Sequence, residues 1–318
     1  MKVGLLRCLL YYPFGPFWET FFGELVCSVV ASPPLSREEF DRNRNRFAGD
    51  ICLPVESVAG HMAWMRNKVD FVFIPKLSDR RGDMYICPVC AGLPSVVQHE
   101  FPEGPTSLSF PLTPFTTPDR SVFQALAPMG LSPKMIARAH EKARLCYSAL
   151  ETDWGAVRPG KTVDGSDPLP HGSSRRHILV LGMPYVLSDP LINGNLFGML
   201  AQRNCDVVVP LNLVPRSMVH RVHVAGYPLY WSFAGMSVHA LEVSLREDRP
   251  DGVLYLSSFA CGVDSVVVPI VQSACRRCED LPCLTVTVDE HASAAHVEVR
   301  VEAFLDCVES GMRKRTLA

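Results

Sequence analysis

Short apolar runs alternate with segments of helical periodicity along most of the chain. Residues 178–181 (Ile-Leu-Val-Leu) and 253–256 (Val-Leu-Tyr-Leu) are apolar at every position, which is typical of parallel strands covered by helices on both faces. The pattern predicts strands at Lys2–Arg7, Val26–Ala31, Asp70–Pro75, Ser107–Leu112, His177–Gly182, Asp206–Pro210, Gly252–Ser257 and Cys283–Val288, and short strands ending at Cys52 and Cys87. The intervening segments predict helices at Phe14–Val26, Arg37–Arg46, Val55–Arg66, Leu93–His99, Ser132–Thr152, Pro190–Gln202, Ser232–Arg246, Val263–Ala274 and Ala294–Met312.

This alternation stops between residues 153 and 176, where the sequence is rich in Gly, Pro, Ser and Asp and has no apolar period. We interpret this stretch as an exposed connector. The pattern therefore predicts an α/β fold with two doubly wound parallel-sheet lobes, an N-terminal lobe over residues 1–152 and a C-terminal lobe over residues 177–318. In such sheets, ligands bind beyond the carboxyl ends of the strands.

The composition narrows the classes of function. The chain has 318 residues, of which 47% are hydrophobic, and a formal net charge of −2. The charge favours neither nucleic acid nor an anionic membrane as a partner. The chain has no apolar run long enough to span a bilayer and no convincing signal peptide, so we expect a cytoplasmic protein. In that compartment the 12 cysteines are expected to be reduced, and clustered ones suit metal or redox chemistry.

Three cysteines share one local setting, in which a predicted strand leads into a predicted helix. They are Cys52 before Leu-Pro, Cys87 before Pro88, and Cys261 before Gly262. Such a turn places the sulfur beside the unpaired N–H groups of the helix, which stabilise a thiolate. Two of the cysteines fall in the first lobe and one in the second, so a metal cluster that they share is expected in the cleft between the lobes.

Other patterns give weaker signals. The sequence contains two Cys-x-x-Cys pairs, Cys87/Cys90 and Cys275/Cys278, and Cys283 follows closely after the second pair. The two pairs lie too far apart along the sequence for a standard zinc ribbon. Residues 155–162 match a phosphate-loop pattern, yet no buried strand precedes them and no helix follows, so a linker loop is favoured over a nucleotide site.

Two polar groups are secondary candidates. Asp289, Glu290 and His291 follow a predicted strand, where they suit either a functional site or the start of a helix. His61 falls inside a predicted helix, where a lone histidine is more often structural than a ligand. The remaining cysteines are interpreted as small buried hydrophobic residues; they are Cys8, Cys27, Cys146, Cys205 and Cys307.

Short motifs recur in order along almost the whole chain. In the first lobe they are residues 9–18 (LLYYPFGPFW), 49–56 (GDICLPVE), 60–61 (GH), 85–88 (YICP) and 92–94 (GLP). In the second lobe they are residues 182–185 (GMPY), 189–190 (DP), Asn193, 229–233 (LYWSF), 255–265 (YLSSFACGVDS), 288–291 (VDEH) and 300–304 (RVEAF). Each motif is weak alone, but the ordered set resembles the acyl-CoA dehydratase activase-related proteins, a family linked to the 2-hydroxyacyl-CoA dehydratases.

The resemblance implies an iron–sulfur protein, with a 4Fe-4S cluster held by Cys52, Cys87 and Cys261. Related dehydratase subunits hold a cluster with three cysteines and leave one iron open to water or substrate, so the fourth position here is open, filled by Cys90 or capped by another group. In the relatives an ATP-hydrolysing activator supplies a low-potential electron. Residues 1–318 contain no actin-like ATPase module, so a separate actin-like ATPase activator is the expected partner.

We therefore expect a cluster-binding protein that acts in low-potential electron transfer or reduction, as a dehydratase-like lyase or a reductase component. The resemblance also implies acyl-CoA as a ligand, and it leaves a homodimer open. The stretch after His291 lacks the Gly- and Glu-rich segment of the family, which weakens any inherited role for Glu290. The alternative function is a zinc-stabilised or metal-free α/β scaffold module without enzymatic activity.

Overall fold

The computed structural model describes residues 1–25, 27–47, 51–76, 85–155, 175–210, 222–224, 227–279, 281–291 and 294–317. The chain divides into two compact units, Met1–Thr152 and Asp153–Ala318. Each contains a sheet of four parallel strands with flanking helices. The predicted α/β fold with two parallel-sheet lobes is therefore confirmed. Most of the predicted connector, from residue 156 to residue 174, lies outside the described residues, as does most of the phosphate-loop pattern.

The sheet of the first unit has the strand order β2-β1-β3-β4. Its strands are β1 (Lys2–Leu5), β2 (Ser28–Ala31), β3 (Phe71–Phe73) and β4 (Thr106–Leu108). Its helices are α1 (Tyr11–Glu24), α2 (Arg37–Asn43), α3 (Leu53–Glu56), α4 (Val58–Met65), α5 (Pro88–Glu100), α6 (Arg120–Leu126) and α7 (Pro133–Gly155), with a short 3-10 helix at Ala127–Met129.

An aromatic core holds α1 against this sheet. Trp18 and Phe22 of α1 contact Phe73 of β3, at ring-centroid distances of 5.4 and 5.1 Å, and Phe110 contacts Phe73 at 4.9 Å. The Trp18 indole N–H also donates to the carbonyl of Leu112, at 2.9 Å. Each buried aromatic ring contributes roughly 1.5–3 kcal/mol of transfer free energy, so this contact is a main source of stability for the first unit.

The sheet of the second unit has the order β10-β9-β5-β6. Its strands are β5 (Arg176–Gly182), β6 (Cys205–Val208), β9 (Gly252–Ser258) and β10 (Cys283–Val288), and β7 (His223–Val224) pairs antiparallel with β8 (Tyr227–Pro228). Its helices are α8 (Pro184–Ser188), α9 (Pro190–Asn193), α10 (Leu196–Gln202), α11 (Ser232–Glu247), α12 (Gly262–Arg276) and α13 (Ala294–Leu317). All seven residues of β9 are buried, as its uninterrupted apolar run predicts.

Two predicted helices are interrupted in the structure. The helix predicted at Val55–Arg66 is divided into α3 and α4 at Ser57. The helix predicted at Pro190–Gln202 is divided into α9 and α10, because Gly194 and Asn195 both adopt left-handed conformations with φ of 58° and 62°. A residue with positive φ ends a right-handed helix.

Two of the cysteines interpreted as buried are exposed, namely Cys146 on α7 and Cys307 on α13, whereas Cys8, Cys27 and Cys205 are buried. The prediction that Cys146 and Cys307 are buried is therefore wrong, because both lie on the solvent-exposed faces of long helices. Within the described ranges, no helix is both long and apolar enough to cross a membrane.

Candidate functional site

Cys52 and Cys87 each occupy the residue immediately before a helix of the first unit. Cys52 precedes α3 with extended backbone angles, and its carbonyl accepts the amides of Val55 and Glu56, at 2.9 and 3.1 Å. Cys87 precedes α5, and its carbonyl accepts the amide of Ala91, at 3.0 Å. Both side chains are partly exposed. Each sulfur is therefore carried by the first turn of a helix, as the sequence predicts.

The short strands predicted before these two cysteines are not found. Residues 51–52 and 85–87 are not in strands, and residues 48–50 and 77–84 lie outside the described residues. Each cysteine has only one or two strand-forming residues on its N-terminal side and a proline within two residues on its C-terminal side, namely Pro54 and Pro88. Such segments are too short for a ladder of hydrogen bonds, and the prolines instead suit the first turn of a helix.

Cys90, the candidate fourth ligand, is buried on α5 one turn after Cys87. It lines an apolar cavity of about 30 Å³ beyond the ends of β1 and β3, which it shares with Cys8, Trp18 and Phe73. The Cys90 side chain thus lies in an apolar environment, whereas the Cys87 side chain is partly exposed.

Cys261 occupies the equivalent position in the second unit, between β9 and α12. Its sulfur accepts the backbone N–H of Asp264, at 3.4 Å, in the way that a serine or threonine oxygen caps a helix. Ala260 immediately before it has a left-handed conformation with φ of 60°, and the Cys261 amide donates to the carbonyl of Ser258, at 3.1 Å. The predicted strand, turn and helix are all present at this cysteine.

A buried carboxyl group fixes the turn that carries Cys261. Asp264 accepts the hydroxyl of Tyr255 at 2.7 Å and the backbone N–H of Ser258 at 3.1 Å. Burial raises the pKa of the Asp264 carboxyl above its ordinary value, although these hydrogen bonds oppose the shift. Burial, together with the nearby Asp264 charge, also raises the pKa of Tyr255 well above its ordinary value. The carboxyl thereby ties the end of β9 to the first turn of α12.

Asp264 and Tyr255 are not among the site residues predicted from the sequence. The signals were present in the sequence: an acid three residues after a candidate N-cap, and a tyrosine within the apolar run of residues 253–256. What was missing is the pairing between them, which depends on how α12 packs against β9.

The secondary candidates Asp289, Glu290 and His291 lie at the same edge of the sheet as the Cys261 turn. They follow β10, whose last residue Val288 pairs with Ser258 at the end of β9. The Asp289 carboxylate accepts the backbone N–H of His291, at 2.9 Å, and the His291 Nε2 lies 3.4 Å from the Glu290 carboxylate. Helix α13 begins three residues later, at Ala294, so Asp289 closes a local turn rather than capping this helix.

His61 is buried inside the first unit. Its Nδ1 lies 2.8 Å from the hydroxyl of Ser32, and the same hydroxyl oxygen accepts the backbone N–H of Arg7, at 2.9 Å. Burial lowers the pKa of His61 to about 4, a shift that the Arg7 charge reinforces and the Glu39 charge opposes. His61 therefore joins α4 to the loop segments that follow β1 and β2.

The part of the chain that the structure describes contains no group of three or more His, Cys, Asp or Glu side chains arranged to hold a metal ion. Of the two Cys-x-x-Cys pairs, Cys87/Cys90 is in the first unit and Cys275/Cys278 is in the second. The assignment of Cys52, Cys87 and Cys261 as ligands stays a prediction that rests on the local setting of each sulfur.

Residues 2–213 match the family model described as the CoA enzyme activase uncharacterised domain (DUF2229). This match covers more than half of the chain, so the protein belongs to that family, in agreement with the resemblance seen in its motifs. The matched stretch contains Cys52 and Cys87 and ends before Cys261. No curated protein matches the chain.

Matches to solved structures are distant. The glycosyltransferase SnogD from Streptomyces nogalater is 12% identical, with 99% of this chain and 94% of that chain covered and a TM-score of 0.22. The tagatose-6-phosphate ketose/aldose isomerase from Escherichia coli is also 12% identical, with 98% of this chain and 83% of that chain covered and a TM-score of 0.22. At these scores neither structure supports an argument about fold or function.

Proposed function

We propose that this member of the CoA enzyme activase domain family is an iron–sulfur protein whose cluster ligands are Cys52, Cys87 and Cys261. It would act in low-potential electron transfer or reduction within the group of 2-hydroxyacyl-CoA dehydratases and their activators, with a separate ATPase as its electron source. The family supports the CoA-enzyme context. The iron–sulfur assignment is supported by the chemistry of the three thiols.

The observation that carries the proposal is the setting of Cys261. Its sulfur already accepts a backbone N–H from Asp264, and it lies at the positive end of the dipole of α12. Iron–sulfur clusters are bound by thiolates, and hydrogen bonds to the sulfurs tune their reduction potentials. A side chain with an N–H donor in place is therefore prepared to hold the negative charge that ligation requires.

Cys52 and Cys87 meet the same requirement in a simpler form. Each lies at the N-terminus of a helix and is partly exposed, so each sulfur is reachable and lies at the positive end of a helix dipole. The buried Cys90 side chain, by contrast, would have to leave its apolar cavity to become a ligand. We therefore propose three cysteine ligands, with the fourth position left to water, to substrate or to another group.

When bound, the cluster would supply one-electron chemistry at low potential. The role of the protein would be to keep the three thiolates oriented and partly shielded. At Cys261 this role falls to Asp264, whose hydrogen bonds with Tyr255 and Ser258 hold the turn in one conformation. Asp264 is thus a positioning residue, which contacts the Cys261 thiol through both its backbone N–H and its carboxyl group.

Anaerobic reconstitution of the full chain with iron and sulfide tests the proposal. We expect iron and acid-labile sulfide in comparable amounts, and a broad charge-transfer absorption at roughly 400 nm. A variant with Cys52→Ser, Cys87→Ser and Cys261→Ser should lose both. The matched control is Cys146→Ser with Cys307→Ser, which removes two exposed thiols on helices and should keep the full signal.

A triple variant that retained the absorption and the sulfide would overturn the ligand assignment. Zinc without acid-labile sulfide in anaerobically purified protein would instead support the scaffold function. The electron-transfer role has its own test. An actin-like ATPase activator together with ATP should reduce the reconstituted protein, and electron paramagnetic resonance detects the reduced cluster. Reduction that is independent of ATP would contradict the proposed partner while leaving the cluster in place.

A further inference from the structure

Cys87 and Cys90 occupy two particular positions in the first turn of α5. Cys87 is the residue immediately before the helix, and Cys90 is the third residue of the helix. The amide of Ala91 donates to the Cys87 carbonyl at 3.0 Å, so the turn that joins the two cysteines is helical. The Cα atoms of residues three apart in such a turn lie about 5 Å from each other, within the range of roughly 4.4–6.8 Å that disulfides span. The backbone therefore already has the spacing of a cross-linked pair.

Side chains at these same two positions touch each other in another helix of the first unit. Ser36 precedes α2 and Glu39 is the third residue of that helix, and a side-chain oxygen of one lies 2.8 Å from a side-chain oxygen of the other. Ser36 and Cys87 both precede their helices with extended ψ angles, of 160° and 134°. Rotation about the Cα–Cβ bonds is therefore enough to bring the sulfurs of Cys87 and Cys90 together.

The two thiols differ in their access to solvent. Cys87 is partly exposed, whereas Cys90 is only 3% exposed. The first turn of α5 contains no acidic residue, and the positive end of the helix dipole favours a thiolate on the residue that precedes it. Cys90 borders an apolar cavity of about 30 Å³, which leaves its side chain the room to change rotamer that a fully packed core would deny. A dissolved reagent therefore meets Cys87 first, and Cys90 is placed to react second.

We propose that Cys87 and Cys90 form a reversible disulfide in the cluster-free protein, by exchange with a small-molecule disulfide. A Cys-x-x-Cys pair at a helix N-terminus supports this chemistry, with the accessible cysteine as the attacking thiol. Because Cys87 is also a proposed cluster ligand, the disulfide and the cluster exclude each other, a consequence that rests on the proposed function. The pair thus makes cluster loading depend on the redox state of the thiols and disulfides around the protein.

The exchange balances in two steps, written here for oxidised glutathione. The Cys87 thiolate attacks one sulfur of oxidised glutathione, the S–S bond of that molecule breaks, and a glutathione thiolate leaves and takes up the proton that Cys87 has lost. The Cys90 sulfur gives up its own proton and attacks the Cys87 sulfur of the mixed disulfide. The bond to glutathione breaks, and the second glutathione thiolate leaves and takes up the Cys90 proton. The two cysteines lose two electrons, and one small disulfide is reduced to two thiols.

The test is to treat the reduced, cluster-free full chain with oxidised glutathione and to analyse its tryptic peptides by mass spectrometry. The peptide of residues 82–120 contains Cys87 and Cys90 and no other cysteine. We expect this peptide to become lighter by two hydrogens, and dithiothreitol to restore its mass. In Cys90→Ala the reaction should stop at a mixed disulfide between Cys87 and glutathione. The matched control is Cys146→Ser, which removes an exposed thiol on α7 and should leave the cross-link unchanged.

The proposal is overturned if the wild-type peptide stays reduced, if it carries a stable glutathione adduct, or if Cys87 is cross-linked to Cys52 instead. Mapping of the wild-type chain decides the matter even where a variant does not fold.

The cluster-loaded protein separates this inference from the proposed function. If Cys87 is a cluster ligand, anaerobic treatment of the reconstituted chain with oxidised glutathione should leave the peptide of residues 82–120 without a cross-link. A cross-link that forms there while the charge-transfer absorption is retained would refute Cys87 as a ligand, whereas the disulfide itself would stand.

Discussion

Protonation of His61 should destabilise the first unit between pH 7 and pH 5. Its side chain is 1% exposed, and the Ser32 hydroxyl with which it pairs is 0% exposed. The Ser32 oxygen also accepts the backbone N–H of Arg7. A second proton on the imidazole would place a positive charge inside a region that cannot solvate it.

The size of the effect follows from the shift in pKa. The His61 pKa falls to about 4 in the folded protein, whereas an unfolded histidine has a pKa of about 6.5. The folded pKa is the lower one, so the stabilisation is fully present above about pH 6.5 and is lost as the pH falls towards 4. Linkage gives a loss of about 2 kcal/mol between pH 7 and pH 5.

The assay is urea denaturation at pH 7 and pH 5, monitored by hydrogen–deuterium exchange of peptides from α1 and α4. These peptides report the unfolding free energy of the first unit by itself. His61→Gln keeps a hydrogen-bonding group beside Ser32 but does not titrate, and it should lose about 2 kcal/mol less than the wild type over this range. The matched control is His99→Gln, an exposed histidine on α5 of the same unit. Equal pH dependence in His61→Gln and the wild type would refute the reasoning.

Three further predictions concern particular contacts. Gly182→Ala should lower the unfolding free energy by about 1–3 kcal/mol. Gly182 has a φ of 154°, and a Cβ added there would lie 2.7 Å from the Leu256 carbonyl oxygen. Thermal melts measure the change, and the control is Gly92→Ala, where an added Cβ would meet open space. Asp264→Asn and Tyr255→Phe should each lower the unfolding free energy by about 1–3 kcal/mol. If their effects are purely additive in a double-mutant cycle, the 2.7 Å hydrogen bond between the two side chains carries no coupling energy. Ser36→Ala should lower the unfolding free energy by about 1 kcal/mol, because it removes the capping box with Glu39. Urea denaturation measures this change, and an unchanged midpoint would contradict the capping role.

The features that the sequence predicted well are those that depend on neighbouring residues. The capping box at Ser36 and Glu39 starts α2 at the predicted residue, and the apolar run of β9 is buried throughout. The turn at Cys261 was also predictable, because a long buried strand and an amphipathic helix flank it closely enough to fix its position.

The features that were missed depend on contacts between elements. The segments before Cys52 and Cys87 have the composition of strands, but the four strands of the first sheet are β1 to β4. The hydrogen bond between Tyr255 and Asp264 joins a strand to a helix. No local pattern in the sequence encodes the distance between such groups.

The two cysteines at the ends of α12 lie in different electrostatic settings. Cys261 precedes the first turn and is partly exposed, and there the dipole of the helix favours a negative sulfur. Cys275 lies in the last turn and is buried, and there the same dipole disfavours a negative sulfur. In the cluster-free protein, iodoacetamide should therefore alkylate Cys261 faster than Cys275, and the reverse order would contradict the choice of Cys261 as the ligand on this helix.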